Sequence, residues 1–125
     1  MILWYNLVYM RIKMGVIYVI ENKLTNQMYV GQTANHDPNK RFMNHKSAAR
    51  GGKLTNQMYA DMREIGEENF TFEIIETCLD NQLNERETYW IKELKTIEYG
   101  YNKALPSGKK KFIKDLTFKN FIDMA

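Results

Sequence analysis

With 125 residues and a net charge of +3, the chain is large enough for one hydrophobic core and too small for two. Its single cysteine, Cys78, excludes an internal disulfide and any cysteine-based zinc site, which favours a reducing cytoplasm. No apolar run approaches the length needed to span a bilayer, and the apolar start MILWYNLVYM lacks both the preceding charge and the small-residue cleavage site of a signal peptide.

Residues 1–13 precede the patterned part of the chain and read either as an extension or, through Leu3 to Tyr9, as an extra edge strand. Two short apolar runs follow, Gly15 to Ile20 and Met28 to Gln32, separated by a polar segment rich in Asn, Lys and Thr that turns the chain back. This pattern predicts a β-hairpin with one tyrosine on each strand, Tyr18 and Tyr29, near each other across the pair. The first strand is apolar on both faces, so it is expected to be central and covered on both sides. A buried phenol needs a hydrogen-bond partner, and a paired core tyrosine is the default for each taken alone.

After a loop over Ala34 to Asn39, Lys40 to Arg50 reads as a helix on which Arg41 and His45, four residues apart, share a face. Gly51 and Gly52 end it. A second helix, from about Thr55 to Ile65, carries Met58, Met62 and Ile65 as an apolar stripe and stops at Gly66. The heptapeptide KLTNQMY occurs twice, at Lys23 to Tyr29 and at Lys53 to Tyr59, with unlike flanks. One copy is predicted as strand and the other as helix, so tertiary packing must override local propensity in one of them. On this pattern Tyr59 does not inherit a role from Tyr29.

Phe70 to Leu79 alternates apolar and polar residues until Ile74-Ile75 and is expected to be the third strand. Asp80 or Asn81 can cap a helix over Gln82 to Leu94. On that helix Leu83, Trp90, Ile91 and Leu94 mark a buried face, and Glu87 lies in its middle, i+4 from Leu83 and i−4 from Ile91. A carboxylate there costs several kcal/mol unless it is paired or binds a metal. An ion pair with Arg86 or Arg41 is the plainer explanation, and a hard divalent cation such as Mg²⁺ is the functional one.

Charge is segregated along the chain. Lys40, Arg41, Lys46, Arg50 and Lys53 are basic with no acidic residue among them, whereas Asp61 to Glu98 holds eleven acidic residues against four basic. From Lys103 onward six lysines face two aspartates. A basic helix and a basic tail beside an acidic body suit a phosphate backbone approached by one face, although such blocks are as often plain solvated surface. Residues 105–125 read as a basic tail or a short docking helix, with its aromatics packing and Lys109, Lys110 and Lys111 meeting a phosphate backbone.

Gly15, Ile17 and Tyr18, with Val16 as one additional residue between, and then Tyr29, Val30 and Gly31, resemble the two signature halves of the GIY-YIG nuclease superfamily. Arg41 and His45 match the pair on the family's first helix, NERETYWIKEL contains its glutamate at Glu87, and Gly100 to Asn102 resembles its closing GYN segment. The resemblance covers residues 14–104 and is nearest to the catalytic module of phage and group I intron homing endonucleases. It implies an α+β fold, a small three-stranded antiparallel sheet flanked by helices in a single domain.

It also implies a metal-dependent DNA endonuclease. Tyr18, Tyr29, Arg41, His45 and Asn102 would be catalytic and Glu87 would hold one Mg²⁺ or Mn²⁺, with Lys40, Lys46 and Arg50 joining Lys109 to Lys111 on DNA. Tyr18 is expected to take the proton of the attacking water with help from Tyr29 or His45, provided the basic helix lowers its pKa from about 10. No membrane, small-molecule cofactor or separate recognition domain is expected, and the compartment would be the cytoplasm of a phage host or bacterium. A catalytically idle DNA-binding remnant and a repair-type, structure-specific nuclease are the alternatives.

Overall fold

A computed structural model of the chain describes residues 13–52 and 56–106. The first residues, Lys53, Lys109, Lys110, Lys111 and the rest of the tail lie outside the described residues.

Three antiparallel strands form the sheet expected from the sequence: β1 (Met14–Asn22), β2 (Met28–Thr33) and β3 (Phe70–Leu79), in the order β2-β1-β3. The helices are α1 (Asn39–Gly51), α2 (Gln57–Ile65), α3 (Leu83–Leu94) and the single turn α4 (Thr96–Tyr99). Strand β1 is central, and its apolar residues on both faces are covered, since Ile17, Tyr18, Val19 and Ile20 are all buried. Tyr18 and Ile20 pack with Ala49 of α1 and with Met58, Tyr59 and Met62 of α2. On the opposite face Ile17 and Val19 pack with Val30, Leu83 and Ile91, so α3 closes that side.

The apolar doublet Ile74-Ile75 that breaks the alternation of β3 marks a bulge. Ile17 pairs with Glu76 and Tyr18 with Ile74, leaving Ile75 without a counterpart at the point where Tyr18 turns toward α1. The two copies of the heptapeptide diverge at their asparagines. Asn26 takes a left-handed φ of 65° in the hairpin loop, whereas Asn56 caps α2 by accepting the Tyr59 N–H at 2.8 Å. Gly52, with φ of 68°, terminates α1 as its glycine pair suggests.

The entry to α3 differs from expectation. Neither Asp80 nor Asn81 caps it: both lie in a 3₁₀ turn, Asp80–Gln82, stabilised by the Gln82 side chain accepting the Leu79 N–H at 3.1 Å. After α4 the chain returns along the free edge of β2. The Tyr101 N–H donates to the Met28 carbonyl at 2.8 Å, and the Asn102 amide accepts from Val30 N–H at 2.8 Å and donates to Val30 C=O at 3.0 Å. One side chain thus satisfies both edge-facing backbone groups of Val30 and holds the edge strand beside Tyr29.

Candidate active site

Five segments meet at one cleft of about 300 Å³, lined by Tyr29 of β2, Arg41 and His45 of α1, Tyr59 of α2, Glu87 of α3, and Asn102 and Lys103 after α4. Each segment brings its residue by its own regularity. Arg41 and His45 follow from the four-residue period of α1, and Glu87 from that of α3, where Leu83, Glu87 and Ile91 are the buried residues.

Tyr18 lies below the cleft and does not line it. It is fully buried, its ring centroid 6.3 Å from that of Tyr29 and 5.0 Å from that of Phe72. Its hydroxyl is 2.8 Å from His45 Nε2, and His45 Nδ1 is 2.7 Å from the Tyr59 hydroxyl. Tyr29 stands on the open side of the same imidazole, with ring centroids 5.4 Å apart. Its hydroxyl has no hydrogen-bond partner among the described residues, so it is the signature phenol available to a molecule in the cleft.

Burial pushes the Tyr18 phenol well above its ordinary range, against the expected lowering by the basic helix; Arg41 opposes the rise without reversing it. Burial and then the Glu87 charge raise Tyr29. His45 is pushed down to about 4, chiefly by burial and secondarily by Arg41, so it is neutral at pH 7. Glu87 is raised by burial, while the Gln32 amide and the Arg41 charge favour its ionised form. Arg41 therefore bears on Tyr18, Tyr29, His45, Tyr59 and Glu87.

Glu87 has no ion-pair partner among the described residues. Arg86 instead binds Glu76 at 2.8 Å, with Trp90 Nε1 donating to the same carboxylate at 2.7 Å. The neighbour of Glu87 is a neutral amide: Gln32 Nε2 donates to Glu87 Oε1 at 2.7 Å and to Asn84 Oδ1 at 2.8 Å. One carboxylate oxygen is thereby oriented, and Glu87 lines the cleft. No cluster of three or more His, Cys, Asp or Glu able to cage an ion occurs among the described residues. The donor set fits a cation that takes few carboxylates and fills its shell with water and phosphate oxygens, as Mg²⁺ does.

The basic residues divide. Lys40 is exposed at the start of α1, and Lys46 lies over the Phe42 ring, 4.4 Å from its centroid. Arg50 is committed to Glu67 through two contacts of 2.8 and 2.7 Å and is not the free charge expected of a DNA contact. Lys103, counted at the sequence level only as part of the basic tail, lines the cleft. Tyr59 was also missed. Its identity to Tyr29 within the repeated heptapeptide was the available signal, and both tyrosines meet His45, with centroids at 5.4 and 5.8 Å.

Residues 14–102 match the model of the GIY-YIG catalytic domain, and the chain belongs to that family. It is an endonuclease domain of the GIY-YIG type. Among solved structures it is similar to the catalytic domain of the homing endonuclease I-TevI, with 31% identity and a TM-score of 0.63 over 72% of this chain and 98% of that one. It is likewise similar to a point mutant of the catalytic domain of the intron endonuclease I-TevI, with 30% identity, a TM-score of 0.66, and coverage of 74% and 95%. No match is found among curated proteins. Among the described residues no helix is long and apolar enough to cross a membrane.

Proposed function

We propose that the cleft hydrolyses DNA phosphodiester bonds with the help of one divalent cation, Mg²⁺ or Mn²⁺, held by Glu87. The observation that carries this is the meeting of a buried carboxylate, without an ion-pair partner among the described residues, with the Arg41 guanidinium and the Tyr29 phenol in one opening. When bound, the cation supplies positive charge at the scissile phosphate and at the departing 3′ oxygen. Arg41 binds the phosphate and stabilises the charge that accumulates on its oxygens, a task suited to a planar, permanently charged fork. Tyr29 orients the attacking water through its hydroxyl, the proton that water gives up passes to solvent at the mouth of the cleft, and the departing 3′ oxygen takes a proton from the same solvent. Tyr18 is sealed from that water and acts through His45, as a positioning residue. Asn102 fixes β2, and hence Tyr29, by its two bonds to Val30.

The nuclease unit spans residues 14–104, and it meets the DNA backbone through Lys40, Lys46 and Lys103, with Lys109 to Lys111 as further contacts. Such contacts position the duplex without reading its sequence. A single buried thiol, Cys78, suits a cytoplasmic setting. The test is nicking of supercoiled plasmid in Mg²⁺ by the parent protein, Glu87→Ala and Arg41→Ala. Cleavage by the parent alone is expected, and cleavage retained by both variants would refute the assignment. Salt-sensitive binding without cleavage in any divalent ion would instead mark an idle DNA-binding module.

A further inference from the structure

We propose that Tyr59 is a further substrate-contacting residue, whose O–H donates to a phosphate oxygen in the cleft and is aimed there by a one-way hydrogen-bond chain from Tyr18 through His45. The inference rests on the cleft being the phosphate site; the direction of the chain does not.

A neutral imidazole has one donor and one acceptor nitrogen, so the three groups can be ordered in only two ways. In one, Tyr18 O–H donates to Nε2 and Nδ1–H donates to the Tyr59 oxygen. In the other, Tyr59 O–H donates to Nδ1 and Nε2–H donates to the Tyr18 oxygen. The two ends of the chain are not equivalent. Tyr18 is fully buried, and His45 Nε2 is the one acceptor of its hydroxyl among the described residues. The second order would strand the Tyr18 proton in the core, a large penalty for a buried donor. Tyr59 is also largely buried, at 6% exposure, but unlike Tyr18 it lines the cleft, where water or substrate can accept its proton at no such cost. The first order therefore holds. His45 remains neutral because burial, with Arg41 nearby, keeps its pKa near 4.

Two consequences follow. His45 has both ring nitrogens committed, which removes it as a metal ligand and as a free base. Tyr59, whose oxygen is already accepting from Nδ1–H, has its own proton left over, next to Arg41 and Tyr29 in the same opening. An O–H polarised through such a chain and facing an anion-binding cleft is suited to a non-bridging phosphate oxygen.

The chain direction is tested by ¹⁵N NMR of histidine-labelled protein at pH 7. The chain has two histidines, and a His36→Gln variant assigns the signals. A protonated Nδ1 and an unprotonated Nε2 are expected for His45; the reverse pattern would overturn the proposal, whether or not any variant folds. The substrate contact is tested with Tyr59→Phe, for which kcat on plasmid is expected to fall about 100-fold, the scale for one lost transition-state donor, with little change in KM. Parental kcat in Tyr59→Phe while Glu87→Ala is inactive would refute the contact and leave the cleft assignment standing. Parental activity in Glu87→Ala and Arg41→Ala would refute the cleft assignment itself.

Discussion

Tyr18 and Gly31 are partners across the β1–β2 ladder, and the tyrosine ring occupies the space a side chain at Gly31 would need. A Cβ on Gly31 would lie 2.5 Å from both Cζ and the hydroxyl oxygen of Tyr18. The ring cannot give way, because it is fully buried between Phe72 and His45. Gly31→Ala is expected to destabilise the fold by about 1–3 kcal/mol, the cost of overpacking, and to misplace the His45 chain. Urea unfolding checks it: an unchanged midpoint would mean that the ring does not rest on the glycine.

His45 makes stability fall with acid in a defined window. Its folded pKa is about 4 against an unfolded value of 6.5, so between these values the unfolded chain binds a proton that the fold refuses. Stability is expected to decrease as the pH drops from 6.5 to 4, by about 3 kcal/mol from this group, and its contribution levels off below. Denaturation at pH 7, 5.5 and 4 measures the slope. His45→Gln should flatten it; an equally steep slope in that variant would assign the loss to other groups.

Glu87 has the opposite sign. Burial raises its folded pKa, so the ionised carboxylate weakens the fold at pH values above the ordinary carboxylate range, and the strain is relieved as it is protonated. Glu87→Gln is expected to stabilise the protein at pH 7 while abolishing cleavage, and the gain should vanish near pH 4. A variant that is both inactive and less stable at pH 7 would contradict the view that this charge is retained for function.

Much of the fold and of the site is legible in the sequence, and where it is not the reason is physical. Glu87 stands out because the helical period puts a carboxylate between Leu83 and Ile91, whereas the Ile74-Ile75 doublet reads only as a break in the alternation of the third strand and not as the bulge beside Tyr18 that it marks. The asymmetry between the phenols was not legible. Tyr18 and Tyr29 carry the same residue on adjacent strands, and only the position of α1 and α2 seals one and leaves the other open. Tyr59 shares a heptapeptide with Tyr29, but different flanks leave open where its helix docks, so that identity hints at a shared role without placing Tyr59 in the cleft. The Arg50 to Glu67 pair spans seventeen residues, out of reach of any local pattern.

That pair has a consequence for DNA affinity. An arginine already bound to a carboxylate contributes little to counterion release, whereas exposed Lys40 has no ion-pair partner among the described residues. Lys40→Ala is expected to lower the slope of log K against log salt by about 1, and Arg50→Ala to leave it unchanged. Titrations of a short duplex between 50 and 200 mM salt, the range over which such slopes are read, check both. A drop of similar size for Arg50→Ala would show that DNA displaces Glu67.

The placement of the cation is tested most directly by Mn²⁺ as a paramagnetic probe of ¹⁵N-labelled protein. Substoichiometric Mn²⁺ should broaden the resonances of Glu87, Gln32 and Tyr29 first, and Glu87→Gln should abolish that selective loss. Broadening that centres on an exposed carboxylate such as Glu64 or Glu98, or that persists around the cleft in Glu87→Gln, would contradict it.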